Sequence, residues 1–402
     1  MRVGIYNEPP GGGIGGSEVS VAVLAEALAP RHQVEIIHHK PYMNSERLAE
    51  ISGTDLSAVR MRCVEAEPYS FGRSHSPWRR YKDARGWRAS LSEPYDLFIN
   101  FTHGYPPFCY APRGVLVVLF PFHERPHREA QGEAPDGVGL LSWDRIKGPY
   151  HEWEWRKRMG TYQVRATNSR FSREWTRRRW GIDCQIVYPP VDTRFQPGAK
   201  TNSILSVGRF TATGHSKKQL EMMAVFNELR DDARSDWGYF CVGGVSDADA
   251  DLQYFRSVSR RASECGAAAL ANVERGRLKQ LYEEAKIFWH AAGYGESDER
   301  PELSEHFGIA TVEAMAAGCV PVAINKGGQP EIVRHGESGF VWSRLEELKE
   351  YSQLLMSDEP LRERMAKAAR SRAGLFSREQ FVRRFLSLLE FDEQGSPAGA
   401  EI

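Results

Sequence analysis

Residues 285–324 read AKIFWHAAGYGESDERPELSEHFGIATVEAMAAGCVPVAI, and this stretch decides the fold. Two apolar runs, 287–290 and 320–324, flank a helical segment of small residues at 312–317. Apolar runs of this length, separated by a helix, are typical of parallel strands that are buried on both faces of a sheet. The stretch therefore predicts a strand–helix–strand unit whose two strands lie parallel in one sheet.

The same alternation continues outward along the chain in two series. The first series predicts strands at 2–6, 33–38, 96–100, 115–120, 164–168 and 185–188, and the second at 204–207, 239–242, 287–290, 320–324 and 339–342. Helices are predicted between them, at 17–28, 171–180, 218–229, 248–265, 277–285 and 312–317. This pattern predicts an α/β protein with two doubly wound, Rossmann-like sheets.

A proline-rich segment at 188–198 (YPPVDTRFQPG) separates the two series and predicts a linker. The N-terminal domain is therefore predicted to span 1–195 and the C-terminal domain 196–376. A helix at about 377–391 carries apolar residues at helical spacing and is predicted to pack back on the N-terminal domain. Residues 392–402 (DEQGSPAGAEI) are predicted to form a disordered tail.

Charge argues against one class of partner and suggests another. The 402 residues carry 53 Lys and Arg against 53 Asp and Glu, so the formal net charge is zero and no nucleic-acid partner is expected. Residues 1–200 carry 28 basic against 22 acidic side chains, with Trp- and Arg-rich segments at 78–88 and 173–180. These segments favour either peripheral contact with an anionic membrane or lipid, or solvated helix faces.

Cysteine spacing and hydropathy indicate the location of the protein. No two of the six cysteines have C-x-x-C spacing, so we predict buried, reduced thiols in a cytoplasmic protein. The N-terminus has no basic region followed by an apolar one, so no signal peptide is predicted. The longest apolar run, 115–120, is far shorter than the ~20 residues that a membrane-spanning helix needs.

A glycine-rich segment at 9–18 (PPGGGIGGSE) follows the first predicted strand and opens a helix. Gly11, Gly13 and Gly16 match G-x-G-x-x-G, but residues 38–40 (HHK) lack the acidic residue that a dinucleotide site requires after the second strand. Glycines at a helix N-terminus suit a phosphate group. The segment predicts a diphosphate cradle that does not bind NAD, with a plain tight turn as the alternative.

Residues 123–127 (HERPH) spell H-E-x-x-H, the helical zinc motif of metalloproteases. Pro126 would damage such a helix and no third ligand follows, so we expect no metal site here. His123 alone follows a predicted buried strand at its carboxyl end, where ligands of α/β sheets bind. It is a candidate substrate contact, with a hydrogen-bonded loop histidine as the alternative.

Three cations follow the first strand of the second series. Arg209 comes directly after this strand, and Lys217 and Lys218 open the next predicted helix. The planar guanidinium and the two ammonium groups suit a diphosphate.

Glu305 and Glu313 stand eight residues apart among small and apolar residues. If the helix starts at 308–309, its free N–H groups point at an anion. Glu305 would then precede the helix and Glu313 would lie in its second turn. Both carboxylates are expected to accept hydrogen bonds from sugar hydroxyls in one cleft. The alternative, two surface glutamates, fits these apolar surroundings poorly.

These segments resemble GT-B glycosyltransferases of family GT4. The E-x7-E segment with Phe-Gly-Ile is similar to the donor-site motif of that family, and its Glu-His-Phe-Gly-Ile version is similar to mannosyltransferases of the lipid-linked oligosaccharide pathway. The resemblance covers most of the chain and is strongest from about 160 to 345. It implies a GT-B fold, in which two Rossmann-like doubly wound domains face each other across a cleft and C-terminal helices follow.

The resemblance implies a role for each motif residue in binding the donor. Glu313 would hold the ribose hydroxyls, and Glu305 would grip the donor sugar with the backbone of Phe307, Gly308 and Ile309. The contacts with the diphosphate are assigned to Arg209 and Lys218, with Lys217 as the adjacent alternative, and to Gly15 and Gly16.

Two histidines compete for a contact with the donor sugar from the N-terminal domain. His123 is assigned this catalytic contact, with Glu305 as the second catalytic residue, and His103 is the alternative. Acceptor contacts are assigned to His103 and Asn100, because the resemblance places the acceptor on this domain. The expected acceptor is a glycan, a lipid-linked molecule or a small molecule.

The implied reaction is transfer of a sugar from a GDP- or UDP-linked donor with retention of configuration, without a metal or other cofactor. A nucleotide-sugar epimerase and a non-catalytic nucleotide-sugar-binding protein stay open as alternatives. An epimerase would need proton-transfer groups that the E-x7-E motif does not specify. The loop at 293–304, longer than usual in the family, either folds over the donor or lies on the surface.

Overall fold

The computed structural model describes residues 1–8, 14–65, 86–124, 143–196, 198–212, 214–231 and 236–391. The chain forms two compact units. One consists of Met1–Pro190 with Phe381–Ile402, and the other of Val191–Gln380. The tail predicted at 392–402 and most of the segment 78–88 lie outside the described residues.

Over the described residues, the first unit contains a seven-stranded parallel sheet with the strand order β3-β2-β1-β4-β5-β6-β7. Its strands are β1 (Arg2–Asn7), β2 (Gln33–His38), β3 (Val59–Cys63), β4 (Leu97–Thr102), β5 (Arg113–Val118), β6 (Val164–Thr167) and β7 (Gln185–Ile186). The helices are α1 (Gly16–Leu28), α2 (Ser45–Ser52), α3 (Trp143–Gly160) and α4 (Arg170–Trp180).

The core of the first unit is completed by the end of the chain. Val3 and Ile5 of β1 are buried in one cluster with apolar residues of α1 and of the last helix, Arg378–Phe391. The ring of Phe385 in that helix stacks on Phe101 of β4, with a centroid distance of 6.3 Å. Burial of apolar surface of this kind is the main term that holds such a helix in place.

The second unit contains a six-stranded parallel sheet with the order β10-β9-β8-β11-β12-β13 over its described residues. Its strands are β8 (Thr201–Val207), β9 (Gly238–Gly243), β10 (Ala268–Ala271), β11 (Ala285–His290), β12 (Val320–Ile324) and β13 (Phe340–Trp342). The helices are α5 (Gln219–Asp231), α6 (Asp249–Cys265), α7 (Arg275–Glu284), α8 (Ile309–Ala316), α9 (Gln329–Ile332), α10 (Leu345–Ser357) and α11 (Glu359–Ala373), and α12 (Arg378–Phe391) follows.

Apolar clusters cover both faces of the second sheet. Ile287 and Trp289 of β11 point into one cluster, and Phe288 between them belongs to the other. A strand buried on both faces must be apolar at successive positions, which is how the run 287–290 reads. The prediction of two doubly wound α/β sheets is confirmed.

Two strands, five helices and one thiol differ from the sequence-based expectation, and the unpredicted helices are α2, α3, α9, α10 and α11. The predicted set lacked β3 and β10, because β3 (VRMRC) alternates apolar residues with arginine and β10 (AALA) has low strand propensity. Five cysteines are buried and free, but Cys63 is exposed, so the prediction of a buried thiol is wrong for Cys63. Cys63 ends β3, which is the edge strand of the sheet among the described residues.

Candidate functional site

The strand order of the second unit brings two of the predicted segments together. β8 and β11 are neighbours, and both run in the same direction. Arg209 lies just beyond the carboxyl end of β8, and His290 is the last residue of β11. Ligands of open α/β sheets bind at this edge of the sheet.

The carboxylate of Glu305 is the centre of a polar network at this edge. Its Oε2 accepts a hydrogen bond from Nζ of Lys217 at 2.5 Å and lies 3.2 Å from Nε2 of His290. Burial by itself raises the pKa of Glu305, but the Lys217 ammonium and the imidazoles of His215 and His290 hold it well below the usual value. Glu305 is therefore an ionised, oriented hydrogen-bond acceptor at neutral pH.

Two neutral histidines, His215 and His290, line this network, and a third histidine, His306, packs against His215. Burial lowers the pKa of His290 and lowers that of His215 to about 4. The rings of His215 and His306 stack with their centroids 5.6 Å apart. Neutral imidazoles donate from one nitrogen and accept at the other, so they orient polar partners without adding charge.

Lys218 is held by the loop at 293–304. Its Nζ lies 2.6 Å from Oε1 of Glu296, and its backbone φ of 58° is in the left-handed region. The same loop is fastened by Lys326, whose Nζ lies 2.9 Å from Oδ1 of Asp298 and donates to the carbonyl of Glu296. The loop is thus tied by two lysines to the edge that carries the predicted diphosphate residues.

Arg209 differs from the two lysines in its pairing. Its side chain is exposed and forms no ion pair with any residue in the described part of the chain. Its carbonyl accepts a hydrogen bond from Nε2 of Gln219 at 3.1 Å.

Gly208 leaves room for the side chain of Lys217. A Cβ on Gly208 would lie 2.6 Å from Cγ of Lys217, so glycine at 208 lets this side chain pass close to the backbone.

The start of α8 is built around Gly308. Its φ of 126° lies in a region that glycine adopts readily, and a Cβ there would lie 2.1 Å from Nε2 of Gln329. The Gln329 amide donates to the carbonyl of Phe307 at 3.2 Å and accepts from the hydroxyl of Thr311 at 2.8 Å. This bracing fixes the first turn, whose N–H groups attract anions. Ile309 is the first residue of α8.

Glu313 lies in the middle of α8 and has a different electrostatic environment from Glu305. Its Oε2 accepts a hydrogen bond from the hydroxyl of Tyr282 at 2.9 Å. Burial raises the pKa of Glu313 to about 7, with Asp192 adding to the effect and the Tyr282 hydrogen bond opposing it. The carboxyl group is therefore close to half-ionised at neutral pH.

In the first unit, Gly15 caps the N-terminus of α1, which begins at Gly16. The N–H of Gly15 donates to Oε2 of Glu18 at 2.8 Å, and Glu18 also forms a buried ion pair with Lys40. Burial raises the pKa of Glu18, but Lys40 and Gly15 more than offset this and lower it. Residues 9–13 of the glycine-rich segment lie outside the described residues.

The two histidine candidates of this unit have contrasting surroundings. His123 is exposed, and its ring centroid lies 5.7 Å from that of Tyr105. Burial lowers the pKa of His103 to about 4. Asn100 is fully buried and donates to the hydroxyl of Tyr162 at 3.2 Å. The predicted roles of Asn100, His103 and His123 stay predictions.

Sequence reasoning missed several polar partners in both units: His215, Tyr282, His290 and Glu296 in the second unit, and Lys40 in the first. His290 was within reach, because it is the last residue of a strand that the apolar pattern predicted. The others depend on contacts across 22 to 91 residues of chain, which no local pattern reports. In the described ranges, no group of three or more His, Cys, Asp or Glu side chains could hold a metal ion, and no helix is long and apolar enough to cross a membrane.

Two family models match the chain and together span both units. The model of Glycosyltransferase Family 4 matches residues 14–195, and the model of glycosyl transferases group 1 matches residues 192–372. The first therefore covers the segment from Ile14 to the linker, and the second covers every residue of the Glu305 network.

Curated relatives match the chain over about half of its length. The chain is 32% identical over 229 residues to a protein named GDP-Man:Man(3)GlcNAc(2)-PP-Dol alpha-1,2-mannosyltransferase from Dictyostelium discoideum, a match that covers 53% of this chain and 43% of that protein. The human protein of the same name is 28% identical over 227 residues, with 51% and 43% covered. The matched stretch thus spans less than half the length of these relatives.

Solved structures share the fold along nearly the whole chain. Anabaena HepE in complex with UDP and glucose superposes with a TM-score of 0.65, at 16% identity and with 97% and 99% of the two chains covered. WaaG, a glycosyltransferase involved in lipopolysaccharide biosynthesis, superposes with a TM-score of 0.61, at 15% identity and with 96% and 99% covered. The predicted GT-B fold is confirmed.

Proposed function

We propose that the chain is a retaining glycosyltransferase, because residues 14–195 match the model of Glycosyltransferase Family 4 and residues 192–372 match the model of glycosyl transferases group 1. Its donor is a nucleoside-diphosphate sugar. Its acceptor is a glycan, a lipid-linked molecule or a small molecule. The observation that supports this best is the ionised Glu305, held by Lys217 and His290 directly before the N-terminus of α8.

The network suits a donor that combines hydroxyl groups with a diphosphate. An ionised carboxylate accepts hydrogen bonds from sugar hydroxyls, and Glu305 has an oxygen, Oε1, to which no described residue donates. Arg209 offers positive charge for the phosphates at the same sheet edge, and Lys217 and Lys218 offer ammonium groups that each share a carboxylate, Glu305 and Glu296 respectively. Glu313, at the second turn of α8, is proposed to accept from ribose hydroxyls. The half-ionised state of Glu313 makes that contact sensitive to pH.

The leaving group of the proposed reaction is a nucleoside diphosphate, which gains negative charge as the glycosidic bond to it breaks. Fixed cations and the N-terminal N–H groups of α8 stabilise that charge and so lower the barrier. We propose that these side chains fill the role that a metal ion has in other transferases. A front-side route, in which the leaving phosphate takes the proton of the acceptor hydroxyl, would retain the configuration. His123 is proposed to contact the donor sugar.

The names of the relatives suggest which nucleobase the donor carries, and the charge of the chain bears on the type of acceptor. The names of the relatives include GDP-Man for the mannosyltransferases and UDP for the HepE structures, so GDP- and UDP-sugars are the first donors to test. A lipid-linked acceptor would agree with peripheral contact of the net basic segment 1–200 with an anionic membrane. In α4, however, Arg173 pairs with Asp183 and Arg178 with Glu174, which reduces the free positive charge of that face.

A donor panel tests the proposed function. The protein is incubated with UDP-, GDP- and ADP-sugars, and release of nucleotide is measured with and without acceptor. We expect acceptor-dependent release with one base, and an anomeric configuration of the product, read by NMR, that matches the donor. Replacement Glu305→Gln should reduce this rate about tenfold or more, since it removes a charged hydrogen-bond acceptor. Epimerised donor, or binding without turnover, would assign the chain to one of the alternative functions.

Vesicle binding tests the membrane part of the proposal separately. Co-sedimentation with vesicles of anionic phospholipid at low salt should retain the protein, and added salt should release it because salt screens surface charge. Neutral phosphatidylcholine vesicles serve as the control. No retention at low salt would remove the membrane contact while leaving the transferase proposal intact.

A further inference from the structure

We infer that His290 is a positioning residue, which holds one oxygen of Glu305 so that the other oxygen faces the donor sugar. The inference rests on the proposed function, because it concerns the same carboxylate. His290 Nε2 and Lys217 Nζ both reach Oε2 of Glu305, at 3.2 and 2.5 Å. No residue in the described part of the chain donates to Oε1, so the carboxylate is anchored through one oxygen only.

The protonation state of His290 follows from its surroundings. Its side chain is 5% exposed, and burial lowers its pKa; Glu305 opposes this effect without cancelling it, and the Lys217 ammonium adds to it. The neutral imidazole has one N–H, and the adjacent Glu305 carboxylate selects the tautomer in which that N–H is on Nε2. Nδ1 is then an acceptor. It is buried and has no hydrogen-bond partner among the described residues.

Packing alone does not account for a histidine at this position. Trp289 and Met222 line a narrow cavity beside His290, together with Gly208 and Lys217. A buried nitrogen without a donor is destabilising, and a phenylalanine of similar shape would avoid that cost. The hydrogen bond to Glu305 is the contribution that a histidine makes here and an apolar ring does not. Active sites commonly give up stability in this way.

Three variants separate positioning from packing. His290→Phe keeps the ring and removes the hydrogen bond, His290→Gln places an amide N–H near the position of Nε2, and His290→Asn places it near Nδ1. Each variant is titrated with the nucleotide sugar that the donor panel selects and with the matching free nucleoside diphosphate. A melting curve of each variant records its stability.

We expect His290→Phe to weaken binding of the nucleotide sugar about tenfold, as for loss of one hydrogen bond to a charged group. Affinity for the free nucleoside diphosphate should stay within about twofold, because that ligand lacks the sugar. The melting temperature should be equal to or above that of the unaltered protein. His290→Gln should recover most of the sugar-dependent affinity, and His290→Asn should not.

Four results would overturn the inference. They are unchanged sugar affinity in His290→Phe, an equal loss for both ligands, rescue by Asn but not by Gln, and no difference between the Gln and Asn variants. If the phenylalanine variant fails to fold, the comparison of Gln with Asn still decides. If the unaltered protein binds the nucleoside diphosphate but no nucleotide sugar, the proposed function fails instead, and this result is distinct from the four.

Discussion

The ammonium of Lys218 lies 2.6 Å from a carboxylate oxygen of Glu296, so this lysine is neutralised by a loop of its own unit. Its neighbour Lys217 is paired in the same way with Glu305. Both side chains are mostly buried, with 15% of Lys218 and 16% of Lys217 exposed. A diphosphate that binds Lys218 must therefore share it with Glu296 or displace that carboxylate.

Replacement Glu296→Gln should tighten binding of nucleoside diphosphates. The change removes a negative charge next to Lys218 and keeps the shape of the side chain, so the affinity should rise about three- to tenfold at low salt. The gain should shrink as salt screens the remaining charges. Calorimetric titration at two salt concentrations measures both effects. Glu299→Gln, an exposed residue of the same loop, is the matched control, and equal gains in both variants would refute the competition.

Nucleotide affinity should rise with pH through the titration of Glu313. Its folded pKa of about 7 means that the carboxylate which would accept from ribose is about one-tenth populated at pH 6 and nine-tenths at pH 8. Apparent affinity should therefore rise about tenfold over this range. Titrations at pH 6, 7 and 8 measure it, and Glu313→Gln should show no such rise. A pH-independent affinity in the unaltered protein would contradict the ribose contact.

The same group has a linked effect on stability. The folded pKa of Glu313 is raised above its usual value of 4.5, so the folded state binds this proton more tightly than the unfolded state does. The stabilisation is fully present below pH 4.5 and is lost as the pH rises through 7. Urea unfolding across this range should show the loss, and Glu313→Gln should flatten it.

Gly308→Ala should be strongly destabilising. The substitution forces a side chain into a backbone with φ of 126° and drives its Cβ to 2.1 Å from the Gln329 amide. We expect a loss of about 3 kcal/mol or more in the free energy of unfolding. Gly336→Ala is the matched control, since φ is 76° there but a Cβ would meet nothing, and it should cost about 1–2 kcal/mol. Equal losses in urea melts would show that the contact with Gln329 is unimportant.

Lys40→Met should destabilise the first unit by leaving Glu18 buried without its counter-ion. The two side chains are 4% and 3% exposed, and breaking such a pair costs about 3–5 kcal/mol. Adding Glu18→Gln should recover much of the loss, because the unpaired charge is then gone. The depressed pKa of Glu18 also predicts stability that is present above pH 4.5 and lost as the pH falls below it. The prediction is contradicted if urea melts show that Glu18→Gln, added to Lys40→Met, lowers the free energy of unfolding further instead of recovering it.

Local patterns in the sequence determined the two sheets and placed the donor-site candidates at strand ends. The apolar run 320–324 coincides with β12, because continuous burial leaves a direct mark on composition, and the predicted strand 33–38 coincides with β2. The glycine at 308 likewise marks the first turn of α8. Each of these features depends on the backbone of a short segment, so the segment itself reports it.

Only the tertiary structure decided how the charged groups pair. Lys217 and Glu305 are 88 residues apart, Lys218 and Glu296 are 78 apart, and Lys40 and Glu18 are 22 apart. The pKa of Glu305 is lowered, whereas the pKa of Glu313 is raised to about 7. This difference depends on burial and on which cation the fold brings within reach of each carboxylate. The sequence contains both glutamates in one motif, and the difference in their chemistry arises from packing across strands.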